Sequence, residues 1–149
     1  MSMTGPISAV LQHKAQAKLW SLPPAATVFE AIQIMADRNI GAVLVMEGQQ
    51  LVGVLSERDY TRKVALKGRS SKETRVREIL APPVAVRRSD TVEECMRLMT
   101  AHRVRHLPVM EGDLVLGVVS IGDLVNWIIS AQDATISQLE GYISGQLSV

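Results

Sequence analysis

The chain has 149 residues, of which 47% are hydrophobic and 3% aromatic, and 16 Lys and Arg against 15 Asp and Glu leave a net charge of +1. That length suits one compact unit burying roughly 68–70% of the surface its unfolded chain exposes, and the even charge excludes a global field for nucleic acid or an anionic membrane. Cys95 is the only cysteine and the three His are scattered, which excludes an intramolecular disulfide and any metal-ligand spacing, while no apolar run approaches the ~20 residues that span a bilayer.

The N-terminus lacks the basic start and apolar stretch of a secretory signal, so a cytoplasmic protein is expected, with no nucleic acid and no membrane among its partners. Residues 7–17 read as a helix, with Ile7, Val10 and Leu11 at helical spacing. A short apolar segment, 19–22, runs into Pro23-Pro24, which stops any helix. Thr27 with Glu30 is a capping pair, and Val28, Ala31, Ile32 and Met35 mark the apolar face of the helix it opens. Residues 42–46 and 51–55 read as strands joined at Gly48 in a hairpin. Ser56 caps a helix reaching Leu66, and residues 67–75 form a basic connecting loop.

Beyond the loop the order returns. A helical turn at 76–80 precedes Pro82-Pro83 and a short strand at 84–86. Thr91 with Glu94 caps a helix bearing Val92, Cys95, Met96 and Met99 on one face, a second hairpin covers 106–119, and Ser120 opens a helix to about Ala131. Residues 27–59 superpose on 91–123 without a gap, and 12 of the 33 positions are identical. Shared hydrophobic class alone would not preserve glycine, turn and capping residues together, so this is an internal duplication. The organisation expected is a first repeat at 7–66, the loop at 67–75, a second repeat at 76–131, and a C-terminal helix and tail at 132–149. Apolar residues at 136, 139, 142 and 143 give that last helix a narrow stripe to pack on its own domain or on a second subunit.

Each copy ends in Gly-x-x-Ser-x-x-Asp, at Gly53, Ser56 and Asp59 and again at Gly117, Ser120 and Asp123. A Ser followed three residues later by Asp caps a helix, and a carboxylate at such a junction also suits the neutral diol of a ribose. Phosphates need separate cations, because the carboxylate repels them. Arg103, Arg105 and His106 supply that charge in the second repeat, where Asn39, Gly41 and Ala42 supply none in the first, so the Asp123 site is the one expected to hold a phosphorylated ligand. Arg58, Arg62, Lys63 and Arg69 are the first repeat's substitutes.

The duplication, the paired Gly-x-x-Ser-x-x-Asp and the run from His106 to Val109 resemble a tandem pair of cystathionine-β-synthase (CBS) domains, the unit called a Bateman module. The resemblance implies an α/β fold with mixed sheets, in which two β-α-β-β-α repeats are related by a pseudo-two-fold axis. It implies clefts for an adenosine-containing ligand: AMP, ADP, ATP, NAD(H) or S-adenosylmethionine. It also implies ribose contacts from Asp59 and Asp123, phosphate contacts from Ser56, Ser120, Arg105 and His106, and adenine flanked by Val84, Ala85, Val86, Leu107, Ala42 and Val43; the first repeat departs from the pattern at Gly41 and Ala42, where Arg58 and Arg69 are the phosphate-binding substitutes. A homodimer signalling to a separate regulated protein is the expected mode of action, with no catalytic residues and no metal. The alternative is a ligand-free dimeric interaction protein whose motifs are only helix caps. An enzyme is the weakest option, since the duplicated Ser has no duplicated His.

Overall fold

The computed structural model describes residues 5–14 and 18–143, the side chains of 132–138, 142 and 143 excepted. Both predicted capping pairs form. Thr27 accepts from the Glu30 N–H at 3.1 Å while Glu30 accepts from the Thr27 N–H at 3.0 Å, opening α2 (Val28–Arg38). Thr91 and Glu94 do the same for α4 (Val92–His102). The buried faces of these helices, with Val28, Ala31 and Met35 on one and Val92, Cys95 and Met99 on the other, follow the 3 and 4 spacing.

Two three-stranded sheets carry the helices. In the first, β1 (Ser21–Leu22) runs parallel to β2 (Ala42–Glu47), which turns through Gly48 at φ 62° into antiparallel β3 (Gln50–Ser56). The second sheet repeats this with β4 (Val86–Arg87), β5 (His106–Glu111) and β6 (Leu114–Ser120). The duplication reaches the register: Ala42 faces Ser56 as His106 faces Ser120, and both hairpins slip after the same position, at Val45/Met46 and Val109/Met110.

The predicted strand at 84–86 begins only at Val86. In the first sheet the Leu44 N–H donates to the Trp20 carbonyl at 2.9 Å. The corresponding residue of β5 is Pro108, which has no N–H to give, so the second ladder starts later. After β3, α3 (Glu57–Tyr60) widens into a π-helical turn, Thr61–Ala65, closed by the Leu66 N–H on the Thr61 carbonyl. After β6, α5 (Ile121–Ile143) runs unbroken. The helix predicted separately within 132–149 is its continuation, because residues 132–135 contain neither Gly nor Pro to stop it. The predicted helical residues 15–17, the tail from 144, and the side chains of Ile136, Tyr142 and Ile143 lie outside what the structure describes.

The leading segments cross over. Ile7 and Val10 of α1 (Ile7–His13) are buried in the second repeat's core with Val86, Leu107, Val109 and Leu124. Val76, on the 3-10 turn that opens the second repeat, and Ile79 just past it are buried in the first repeat's core with Leu22, Val45 and Leu55. Matching backbone bonds hold the two: Val28 N–H to Thr74 and Val76 N–H to Ala26, against Val92 N–H to Gly5 and Ile7 N–H to Asp90. This reciprocal exchange is what a pseudo-two-fold axis produces. It also explains the motif glycines, because a Cβ at Gly53 would lie 2.7 Å from Leu80 and one at Gly117 would lie 2.9 Å from Leu11. Their role is close packing under the exchanged segments.

Candidate functional site

At each strand-to-helix junction the motif aspartate caps through one oxygen. Asp59 Oδ2 accepts from the Ser56 N–H at 2.9 Å and from its hydroxyl at 3.0 Å, and Asp123 Oδ2 accepts from the Ser120 N–H at 2.8 Å. Ser56 and Ser120 return the bond by accepting from the Asp59 and Asp123 N–H groups. Oδ1 takes no part in either cap. Both carboxylates line cavities, of about 360 Å³ at Asp59 and about 580 Å³ at Asp123, within the range of small-molecule sites.

The crossing of the repeats decides which side chains face which carboxylate. The lead-in to β5 lies against the end of β3, so Arg103 and Arg105 line the Asp59 cleft, where Arg58 and Arg62 join them. The first repeat's counterparts, Asn39, Gly41 and Ala42, line the Asp123 cleft. The expectation that Arg105 serves Asp123 is therefore corrected: a motif treated within its own repeat misses that each cleft is completed by the other one. Four guanidinium groups gather at Asp59. Arg62, partial burial and Arg105, in that order, hold the Arg58 guanidinium below its ordinary pKa. Arg103 ends α4 in the left-handed conformation at φ 54°, a position that Gly or Asn fills at lower cost.

Of the residues predicted to flank adenine, Val84 lines the Asp59 cleft, and Ala42 and Val43 line the Asp123 cleft. Leu107 and Val86 point into the second repeat's core, and exposed Ala85 lines neither cavity. The alternation of β5 and β4 turns Leu107 and Val86 inward. Arg69 also lines neither cavity, because Glu78 holds its guanidinium at 2.6 Å. Three residues went unrecognised in the sequence: Trp20, Lys18 and Lys14, all on the Asp123 cleft. Trp20 was within reach, since it superposes on Val84 at the same offset that aligns the repeats. Lys14 was not. It lies in a stretch with no counterpart: thirteen positions separate Ile7 from Trp20 but eight separate Val76 from Val84.

His106 belongs to both clefts, sharing with Gly41 and Val54 the wall between them. A Cβ on Gly41 would stand 3.2 Å from its ring, and its Nδ1 is buried without a hydrogen-bond partner among the described residues. Burial lowers the imidazole pKa, outweighing Asp123, which raises it. The unfolded chain then takes up a proton at the ordinary value of 6.5 while the folded chain resists it, so stability is lost as the pH falls through that value. Thermal melts from pH 7.5 to 5.5 are expected to show a steeper decline in the wild type than in His106→Gln. Equal slopes would contradict this assignment.

The CBS domain family model matches the chain twice, at residues 15–66 and 76–130. A protein with CBS domains from Burkholderia ambifaria is 44% identical, with a TM-score of 0.79 over 84% of this chain and 94% of that one. A CBS domain protein from Pyrobaculum aerophilum, solved in complex with AMP, is 25% identical, with a TM-score of 0.69 over 79% of this chain and 88% of that one. The mitochondrial CBS domain-containing protein CBSX3 of Arabidopsis thaliana is 38% identical across 80% of this chain, which spans 61% of that protein's length.

Proposed function

The chain belongs to the CBS-domain family, and from that premise we propose that it is a non-catalytic adenine-nucleotide sensor whose occupancy is read by a separate protein. The observation that carries this is the Asp59 cleft. A ribose acceptor stands there at a strand-to-helix junction, Pro82, Pro83 and Val84 give an apolar wall for a base, and Arg58, Arg62, Arg103 and Arg105 wait unpaired by any carboxylate among the described residues. A cluster of guanidinium groups that raises its own electrostatic energy is relieved by a polyanion, so ADP and ATP suit this cleft better than a neutral nucleoside. The AMP complex of the Pyrobaculum protein supports the ligand class.

A ligand changes what a partner sees only by binding two conformations unequally. The wall at His106 and the exchanged segments give the two repeats a shared boundary through which that difference is felt. The working assembly is a homodimer. Val125, Ile129 and Leu139 are exposed on α5 and fall within about 80° of one another around its axis, an apolar stripe for a second copy.

Calorimetry with AMP, ADP, ATP, NAD(H) and S-adenosylmethionine tests the reading, beside sedimentation of the same samples, in which a dimer is expected. Asp59→Asn should weaken the tightest ligand by roughly tenfold or more, as expected for losing a hydrogen bond to a charged group. No heat and no rise in Tm with any adenine compound would leave the motifs as helix caps alone.

A further inference from the structure

The two motif carboxylates do not present the same face to a ligand. Lys63 reaches Asp59 from the next turn of the same helical segment, at 3.6 Å, and donates to the Ile79 carbonyl at 2.9 Å; it does not line the Asp59 cavity. Lys14 comes to Asp123 from just past the end of α1, in the leading segment that is five residues longer in the first repeat. Its ammonium stands 2.8 Å from Asp123 Oδ2 and donates to the Val118 carbonyl at 2.7 Å, and it lines the cavity. Asp123 Oδ2 therefore already receives two donors, the Ser120 N–H and Lys14.

We infer that Lys14 is a specificity-determining residue that makes the Asp123 cleft select phosphorylated nucleosides over neutral ones. This rests on the nucleotide reading above. The pair is partly buried, its side chains being 30% and 22% exposed. A neutral nucleoside whose ribose takes Asp123 Oδ2 draws on lone pairs the ammonium already uses and weakens a partly desolvated ion pair with nothing in exchange, a net loss. A phosphorylated one brings the replacement anion with it. Lys14 turns its third N–H, or its whole ammonium, to the phosphate while the diol takes the carboxylate, and Lys18 at the same cavity adds to the attraction.

Trp20 lines this cleft and does not line the Asp59 cleft, so its emission reports the Asp123 cleft when Trp127 is replaced by Phe. Adenosine and AMP are titrated into Trp127→Phe protein with and without Lys14→Met. AMP is expected to bind at least tenfold tighter than adenosine when Lys14 is present. The Lys14→Met change should bring that ratio near one, chiefly by tightening adenosine, and Lys14→Arg should keep the preference. Melting curves and calorimetry of the untouched Asp59 cleft check that the variants fold. A ratio that Lys14→Met leaves intact overturns this inference alone. A cleft closed to both compounds in wild type and open to both in Lys14→Met also overturns it, since Lys14 would then be a plug without preference. Absence of both a Trp20 response and any heat, with every adenine compound and in every variant, overturns the nucleotide reading and this inference with it.

Discussion

Arg58→Ala combined with Arg105→Ala is expected to weaken ATP binding by about a hundredfold or more and to change adenosine binding by no more than about threefold. Each guanidinium lost removes a charge-assisted hydrogen bond of about 1.5–3 kcal/mol, and neighbours in one cluster do not add simply, so the double variant falls short of the product of the singles. The ligand-free protein should lose no stability. Neither arginine is paired to a carboxylate among the described residues, and removing one relieves the repulsion that lowers the Arg58 pKa. Calorimetry at two salt concentrations reads both effects, because the difference between ATP and adenosine should shrink as salt rises. A loss equal for both ligands would mean that the arginines hold the cleft's shape and not the phosphates.

Leu107→Ala is the second large effect, and here the expected loss is in stability. The side chain is fully buried among Val92, Cys95, Val109 and Leu124, so its truncation leaves a cavity and costs about 2–5 kcal/mol. For a chain of this size Tm should fall on the order of 5–15 °C. Nucleotide affinity measured well below that Tm should stay within about twofold. A small fall in Tm with a large loss of affinity would restore Leu107 to the base-binding wall that the family resemblance implied.

Local structure was legible because its causes are local. Thr27 with Glu30 and Thr91 with Glu94 announce helix starts through side chains that satisfy the first N–H groups, and the alternating residues of β5 and β6 repeat those of β2 and β3 down to the slipped register. The motif serines and aspartates were placed correctly as caps for the same reason. What stayed hidden was any fact set by how the repeats pack. Arg105 lies two residues before Leu107 and fifteen before Ser120, yet it lines the Asp59 cleft of the other repeat. The burial of Ile7 and Val76 in each other's repeats is equally silent, since an apolar turn carries no mark of the sheet it will cover. Helix length failed for a different reason: Gln132, Asp133 and Thr135 are polar without being breakers, and polarity alone does not end a helix.

The crossed leading segments make the two repeats mutually dependent for folding. Cutting the chain in the 67–75 loop separates α1 from the sheet it covers and strands Val76 and Ile79 away from theirs, so each half keeps an uncovered core and an apolar segment with nowhere to go. A solitary repeat bearing its own leading segment faces the same difficulty, and it is solved only when two copies trade segments. The duplicated chain is thus a swapped dimer written into a single polypeptide. Within that exchange the two junctions differ, arginines lining the cleft at Asp59 and Lys14 of the longer leading segment lining the one at Asp123.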